Sequence, residues 1–243
     1  MASLYLHPGL TEADAVVGAR VEVSGDEARH ALQVARVRPG ERLSIGDGRG
    51  TLVRGAVLAA APGVLAVEVD EVVHEPEPTP ALWLVQALAK GDRDELAVQA
   101  ATELGVAGVV PWAAERSVSR WEGAKVSRGE ERWRSIVREA AKQAIRPRVP
   151  EVAALASTRQ LAGAPGLVVV LEPTADVPLT GVALDGADRI SLVVGPEGGI
   201  APRELELLAD AGAVLARLGP EVLRTSTAGP AALAVLNARL GRW

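Results

Sequence analysis

The first seventy or so residues carry short runs rich in valine and leucine, separated by turn-forming pairs such as Pro39-Gly40 and Pro62-Gly63. Runs of this kind between glycine and proline turns are typical of β-strands. They occupy residues 21–23, 43–45, 51–57 and 64–73. Only residues 26–34 follow a helical pattern, with Ser24 or Asp26 as the candidate N-cap. The pattern predicts a small, mostly β domain.

Three alternate prolines follow in the stretch His74-Glu-Pro-Glu-Pro-Thr-Pro80. Proline removes a backbone donor and holds the preceding residue extended. We therefore expect a linker over residues 75–80, between a first domain over 1–74 and a second over 81–243.

After this stretch, continuous apolar runs alternate with helical patterns. Strands are predicted over 82–88, 108–111, 167–171, 190–194 and 213–218, and helices over 92–104, 129–144, 202–211 and 225–240. A run such as Leu167-Val-Val-Val-Leu171 is what a strand covered on both faces requires. Its alternation with helices indicates a parallel sheet, so the second domain is predicted to be α/β.

Three of these strands run into loops rich in glycine or proline: Glu172-Pro-Thr-Ala175, Gly195-Pro-Glu-Gly-Gly199 and Gly219-Pro-Glu-Val-Leu-Arg-Thr225. In a parallel sheet all three emerge at the carboxyl edge, where α/β proteins bind ligands. Gly198 and Gly199 can adopt positive φ and let the main chain approach a ligand closely. The three loops together predict a binding pocket.

The chemistry of these loops narrows the class of ligand. They lack the lysine and spacing of a P-loop and the glycine fingerprint of dinucleotide folds. Glu197 would repel a pyrophosphate, so a cofactor without phosphates agrees better with these residues. A dinucleotide-dependent oxidoreductase is thereby disfavoured, and a non-catalytic RNA-binding protein stays open as an alternative.

Composition excludes several other classes. The chain of 243 residues has no cysteine, and its three histidines are far apart, so thiolate sites and a metal centre are not expected. No apolar run approaches eighteen residues and no secretory leader is evident, so neither a membrane span nor export is expected. These features fit a cytoplasmic protein. The five tryptophans are expected in the core or in a dimer interface, although Trp121, beside Arg120, is a candidate to stack on a base.

Charge is segregated along the chain. Residues 116–148 hold ten basic and four acidic side chains, which gives this segment a net charge of +6. Because the whole chain has a net charge of −5, the other residues together carry −11. Such a surplus in one segment favours a surface that faces phosphates. Because this segment lies outside the three loops, its residues are expected to contact RNA and not the cofactor.

The motif Leu192-Val-Val-Gly-Pro-Glu-Gly-Gly-Ile200, followed by Leu218-Gly-Pro-Glu-Val-Leu-Arg-Thr-Ser-Thr-Ala228, resembles the two C-terminal motifs of the SPOUT superfamily. With Arg29-His30, Lys90-Gly91-Asp92 and Glu139-Ala-Ala-Lys-Gln143, the chain is similar to the bacterial small-subunit ribosomal RNA uridine-N3 methyltransferases. The resemblance implies a PUA-like β-barrel, then an α/β methyltransferase domain with a deep trefoil knot. It further implies S-adenosylmethionine as cofactor, 16S ribosomal RNA as substrate and a homodimer.

The resemblance and the loops together indicate the site residues. The cofactor is expected to contact Leu171, Glu172, Pro173, Gly195, Pro196, Glu197, Gly198, Gly199, Leu218, Gly219, Val222, Leu223 and Thr225. Arg224 is a candidate to stabilise the uridine anion, with phosphate binding or a salt bridge as the alternatives. Glu197 and Glu139 are candidate bases, and Glu197 could equally support its own loop. RNA is expected to contact Arg29, His30, Arg36, Lys90, Arg116, Gln143, Arg146 and Arg148.

The chain departs from the family pattern at a few positions. Ser226 stands where an acidic residue is usual, Ala201 where a Ser or Thr is usual, and Ala144-Ile145 where Ser-Gly is usual. Ala201 cannot supply an N-cap hydrogen bond, a loss on the order of 1 kcal/mol.

Overall fold

A computed structural model describes residues 4–61 and 63–243, and its backbone contacts divide the chain into two units. The N-terminal unit comprises Met1–Glu77 and Ala141–Val149, and the C-terminal unit comprises Pro78–Ala140 and Pro150–Trp243. The sequence-based boundaries differ from this division in two places: the expected linker over 75–80 is divided between the units, and Ala141–Val149 groups with the N-terminal unit.

Polar contacts explain where that segment belongs. Lys142 Nζ lies 3.3 Å from Glu27 Oε1 in an ion pair whose two side chains are both largely buried. Arg148 donates from Nε and Nη2 to the carbonyl oxygen of Glu75, at 3.1 and 2.8 Å. These contacts lie within the N-terminal unit. They could not be predicted from hydrophobic periodicity, because they are polar contacts between residues far apart in the sequence.

The N-terminal unit is built on one five-stranded sheet. Its strands are β1 (Leu4–Leu6), β2 (Arg20–Ser24), β3 (Arg42–Gly46), β4 (Thr51–Ala61) and β5 (Val64–His74). The order is β1-β3-β4-β5-β2, with β1 and β3 parallel and the other pairs antiparallel. The mostly β character is confirmed, and closure of this sheet into a barrel stays a prediction.

One short helix packs on that sheet, as the pattern over 26–34 predicted. Helix α1 (Gly25–Arg29) continues into a π-helical segment, His30–Val34. Ala28 and Ala31 are fully buried against Tyr5, Val23 and other core residues. Arg36 then takes a φ of +55°, which turns the chain out of the helix.

The C-terminal unit is an α/β domain with a wholly parallel sheet, as predicted. Its strands are β6 (Ala81–Ala87), β7 (Gly108–Trp112), β8 (Glu151–Val152), β9 (Leu167–Leu171), β10 (Val177–Pro178), β11 (Arg189–Val194) and β12 (Val214–Arg217). They pair in the order β10-β12-β9-β11-β6-β7-β8. The sequence analysis missed β8 and β10, each of two residues, because a pair of residues carries no readable period.

Helices cover the sheet of the C-terminal unit. They are α2 (Arg93–Glu103), α3 (Ala124–Gln143), α4 (Thr158–Ala162), α5 (Pro202–Asp210) and α6 (Thr225–Arg239), with a 3-10 turn at Leu179–Gly181. The helix α3 begins five residues earlier than expected. Strand β6 is buried along almost its whole length, which agrees with its continuous apolar pattern. No helix within the described residues is long and apolar enough to cross a membrane.

We predict that Gly55→Ala strongly destabilises the protein. A Cβ at Gly55, in β4, would lie 1.9 Å from the carbonyl oxygen of Glu68 on the paired strand. Because backbone atoms cannot yield as a side chain does, the free energy of unfolding should fall by about 2–3 kcal/mol. Thermal and urea unfolding measure this loss.

Gly163→Ala is the matched control, since its Cβ would meet its nearest neighbour at 3.6 Å, an ordinary contact. Equal stability of the two variants would contradict the close strand approach at Gly55.

Candidate functional site

The three predicted loops meet at one cavity of about 380 Å³ in the C-terminal unit. Strands β12, β9 and β11 are neighbours in the sheet, so the loops that follow them emerge side by side at its carboxyl edge. Every residue of the expected cofactor set lines the cavity except Gly198. The lining also contains residues that the sequence analysis did not select: Arg93, Val194, Ile200, Glu221 and Ala228.

The loop after β11 is shaped by its glycines in three different ways. Gly199 takes a φ of +71°, whereas Gly198 does not adopt positive φ, which corrects the expectation for that residue. A Cβ at Gly195 would lie 2.6 Å from Ile200 Cγ1, so the loop closes on its own side chain. Gly198 instead packs against Arg116. A Cβ added at Gly198 would lie 3.3 Å from the Cβ of Arg116.

A buried hydroxyl ties this loop to two other elements. Thr225, at the start of α6 and 6% exposed, donates from Oγ1 to the Gly195 carbonyl at 2.8 Å. The same Oγ1 accepts from Gln86 Nε2, also at 2.8 Å. Gln86 lies near the end of β6, is fully buried, and its Oε1 has no hydrogen-bond partner among the described residues. The sequence analysis missed Gln86, although a lone amide in an apolar strand was a usable signal.

Glu197 is held by the turn that follows β6. Its Oε1 accepts from the backbone amide of Lys90 and from Arg93 Nη1, each at 3.1 Å. Burial acts to raise the pKa of Glu197, but hydrogen bonds from its own amide and that of Lys90, together with Arg93, outweigh burial and lower this pKa below its ordinary value. A carboxylate stabilised in its charged form is a weak base. The geometry therefore favours a structural role for Glu197, in which it holds its loop against the turn after β6.

The other two catalytic candidates lie in different surroundings. Arg224 lines the cavity at the N-cap position of α6 and is exposed, and its guanidinium shows no hydrogen bond or ion pair to any described residue. Its guanidinium is therefore available to a ligand. Glu139 is exposed on α3 and does not line the cavity, so the geometry of this chain gives it no contact with a ligand there.

The residues expected to bind RNA are divided between the two units. In the N-terminal unit, Arg29 and Arg36 line a second cavity, and His30 packs edge-on to Tyr5 with ring centroids 6.3 Å apart. Lys90, in the C-terminal unit, and Gln143, in the N-terminal unit, are exposed.

Three of the predicted RNA contacts have partners inside the protein. Arg116 Nη1 donates to the Gly198 carbonyl at 3.3 Å, so it supports a cofactor loop instead of lying apart from it. Arg148 is bonded to Glu75, and burial lowers the pKa of the half-buried Arg146 to about 10. Arg146 and Arg148 are half-buried, so less of each side chain is open to a phosphate than the sequence analysis expected, whereas Arg116 is exposed. Contact of these three residues with RNA stays a prediction.

The helix after the glycine loop compensates for its alanine cap. Ala201 has no side chain to cap α5, but the buried Glu204 accepts from the Ala201 amide at 3.3 Å. Glu204 also accepts from Thr158 Oγ1 at 2.6 Å and from the Glu115 amide at 3.1 Å. The loop that bears Arg116 and the loop that bears Gly198 are thus fixed to one carboxylate.

The cavity suits a cofactor of mixed character without phosphates. Apolar walls come from Leu171, Val194, Ile200, Leu218 and Leu223. Its charged lining balances three carboxylates, of Glu172, Glu197 and Glu221, against the two guanidinium groups of Arg93 and Arg224. A polyanionic ligand would meet repulsion, whereas a sulfonium compound would not. Within the described residues, no group of three histidine or acidic side chains is placed to hold a metal ion.

The chain is similar to known proteins over most of its length. The RNA methyltransferase domain family matches residues 75–237, and the RNA methyltransferase PUA domain family matches residues 23–69. Ribosomal RNA small subunit methyltransferase E of Mycobacterium bovis is 46% identical over 93% of this chain and 89% of its own length. The protein of that name from Bacillus subtilis is 29% identical, with 88% of each chain covered.

A solved structure is similar over nearly the whole chain. It is that of a ribosomal RNA small subunit methyltransferase E from Neisseria gonorrhoeae bound to S-adenosyl methionine. It has a TM-score of 0.85 and 27% identity, and the match covers 98% of both chains.

We predict that Gln86→Leu weakens S-adenosylmethionine binding about fivefold. The Thr225 hydroxyl would lose its donor, and a hydrogen bond of this kind contributes about 1 kcal/mol. Stability should change little, because the substitution also removes a buried oxygen without a partner. Calorimetric titration and thermal unfolding measure the two quantities.

Gln99→Leu is the matched control, since Gln99 is exposed on α2 and its side chain donates to Glu103. Unchanged cofactor affinity in Gln86→Leu would show that the loop keeps its position without this bond.

We predict that the carboxyl of Glu197 titrates below its ordinary value and that Arg93→Gln moves this pKa upward. The sign follows from linkage, because Arg93 stabilises the charged form of Glu197. The stability that this interaction contributes is therefore present above the ordinary pKa of a glutamate and is lost as the pH falls through the lowered pKa of Glu197. Carboxyl-detected NMR titration of labelled protein measures both values. If the pKa of Glu197 were the same in Arg93→Gln and in the wild type, Arg93 would not stabilise the charged form of Glu197.

Proposed function

Because the chain belongs to the family of ribosomal RNA small subunit methyltransferase E, we propose that it methylates N3 of a uridine in 16S ribosomal RNA. S-adenosylmethionine is the proposed methyl donor. The observation that carries the proposal is the meeting of three loops at one cavity whose charged lining disfavours phosphates, in a chain 46% identical to a named relative.

The cavity offers the contacts that such a donor needs. The loops after β9, β11 and β12 present apolar side chains and close backbone, with Gly195 and Gly199 among the lining residues. S-adenosylmethionine, when bound, supplies a methyl carbon activated by its sulfonium charge. Positioning of the acceptor nitrogen should then dominate catalysis.

The uridine N3 carries a proton that must leave. In the balanced reaction, the N3 electron pair forms the bond to the methyl carbon, the carbon–sulfur bond breaks with its electrons staying on sulfur, and the N3 proton passes to a base. Arg224 is the group best placed to stabilise negative charge on the uracil ring, since it lines the cavity without a protein partner among the described residues. Glu197 is already engaged by Lys90 and Arg93.

We further propose that the C-terminal unit has the deep trefoil knot of the SPOUT superfamily. Two observations support this topology. The chain leaves β12 and returns to pack α6 against β11 and β6, which lie two and three positions from β12 in the sheet. Thr225, at the start of α6, bonds to the loop that follows β11. The C-terminal segment thus returns to the loop through which the proposed knot would thread it.

Homodimer formation is also part of the proposal. Val222 and Leu223, which line the cavity, are 79% and 39% exposed, and exposed apolar groups beside a site favour cover by a second copy. Trp243 is 66% exposed, which leaves the dimer interface, and not the core, as its expected place.

The PUA domain, with Arg29, His30 and Arg36, is proposed to hold RNA. A cytoplasmic location is likewise proposed, because the proposed substrate is ribosomal RNA.

A methyl-transfer assay on small ribosomal subunits that lack the modification tests the function. We expect labelled methyl groups to enter 16S RNA and to be recovered as N3-methyluridine by mass spectrometry of the nucleosides. Fully modified subunits serve as the control and should accept none. Cofactor and RNA binding without transfer would instead favour the non-catalytic RNA-binding alternative.

We predict that Arg224→Ala lowers turnover on the order of a hundredfold, while RNA affinity stays within about twofold of wild type. Single-turnover methylation and filter binding separate the two effects. Arg224→Lys is the control: it keeps the charge but not the planar donor pair and should retain part of the rate. A fall in RNA affinity equal to the fall in rate would assign Arg224 to phosphate binding.

A further inference from the structure

The short segment after β9 crosses a strand that comes later in the chain. Residues 172–176 connect β9 to β10, and β12 lies between these two strands in the sheet. Ala216 of β12 pairs with Leu171 on one side and with Val177 on the other. Because β12 continues past this level to Arg217, the five connecting residues must pass over one face of that strand. We call residues 172–176 the crossing segment.

Backbone pairing holds the two ends of the crossing segment unequally. At its first end, the Glu172 amide donates to the Ala216 carbonyl at 3.0 Å. Its far end leads into β10, which has only two residues, both exposed. The second of them is Pro178, which has no amide hydrogen to donate to a neighbouring strand. The far end therefore depends on other hydrogen bonds.

Arg217, the last residue of β12, supplies these bonds. Its Nη1 donates to the carbonyl of Ala175 at 2.8 Å and also to the carbonyl of Asp176. The side chain is half-buried, so these bonds are partly shielded from water. Hydrogen bonds from a guanidinium are charge-assisted and roughly twice as strong as neutral ones. Arg217 thus ties the crossing segment to the strand that it crosses.

Both sides of this contact lead directly into the cofactor cavity. Glu172 and Pro173, in the crossing segment, line the cavity, and so do Leu218 and Gly219, which follow Arg217 in the chain. Arg217 itself is not among the lining residues. Its two bonds therefore fix the relative position of two walls of the cavity, which are formed by the loops after β9 and β12.

The third wall is held by other residues. Thr225 and Glu197 hold the loop after β11, through the contacts already described. Arg217 joins the remaining two loops to each other. The sequence analysis did not select Arg217, because an arginine at the end of a short strand carries no signal of its partner.

We propose that Arg217 is a positioning residue for the cofactor, which keeps the crossing segment in place on β12 before S-adenosylmethionine binds. A segment that becomes ordered only on binding loses conformational freedom at that step, and this loss weakens affinity. The proposal rests on the proposed function through its cofactor. It adds a residue outside the cavity lining that sets cofactor affinity through the carbonyls of Ala175 and Asp176.

The test compares two arginine-to-methionine variants of the full-length protein. Methionine keeps an unbranched apolar side chain but removes the charge and every donor. Arg217→Met thereby removes both bonds to the crossing segment. Arg239→Met is the matched control, because Arg239, in α6, donates from Nη1 to the Leu179 carbonyl at 3.0 Å, and neither of these residues lines the cavity.

Calorimetric titration with S-adenosylmethionine measures the main effect. We expect Arg217→Met to bind the cofactor about tenfold more weakly than the wild type, and Arg239→Met to stay within about twofold of it. Arg217→Lys keeps a charged donor without the planar group and should recover part of the affinity. In methylation assays, the loss in Arg217→Met should appear in KM for the cofactor more than in kcat.

Hydrogen exchange without cofactor reports on the crossing segment itself. The amides of Glu172, Thr174 and Ala175 are hydrogen-bonded, to β12 or within the segment. They should exchange about tenfold faster in Arg217→Met than in the wild type, while the amides of β11 keep their rates. In Arg239→Met the crossing segment should exchange as in the wild type.

The outcomes separate this proposal from the proposed function. If the wild type methylates and Arg217→Met binds the cofactor as tightly as Arg239→Met, Arg217 is not a positioning residue and the proposed function stands. If the wild type binds the cofactor but transfers no methyl group, the proposed function fails, whereas a loss of affinity confined to Arg217→Met supports the role of Arg217. Faster exchange throughout the C-terminal unit of Arg217→Met would overturn that role, because Arg217 would then stabilise the fold in general.

Discussion

The buried hydroxyl of Thr225 holds the site together. It donates to the carbonyl of Gly195 and accepts from Gln86, each at 2.8 Å, so β6, the loop after β11 and the start of α6 are joined at one atom. Because the strands are parallel, their loops already lie at one edge. The hydroxyl fixes how these loops face one another, and the cavity is the space that remains between them.

A second set of contacts holds the loop after β11. Glu197 joins this loop to the turn after β6, through Lys90 and Arg93. Arg116 joins the loop after β7 to Gly198. A displacement of either neighbouring turn would therefore move a loop that lines the cofactor cavity. Such support suits a reaction that depends on the position of two reactants.

The basic side chains of residues 116–148 fall into two groups, those packed within the protein and those exposed to solvent. Some are packed within the protein, as with Lys142 against Glu27 and Arg148 on Glu75. Others, including Arg120, Lys125 and Arg128, are exposed at or before the start of α3. Charge counted along the chain cannot distinguish these groups, because only packing decides which cations lose access to solvent. The exposed ones remain available to RNA phosphates.

Local patterns in the sequence determined the mostly β first domain, the parallel α/β second domain and the three ligand loops. Continuous runs such as Leu167–Leu171 and the glycine loop each specify their own backbone, so no partner is needed to recognise them. Tertiary structure alone decided the roles of Gln86, Glu197, Arg116 and Arg148. Each acts through a partner more than seventy residues away in the chain, and the pairing of distant side chains depends on the fold.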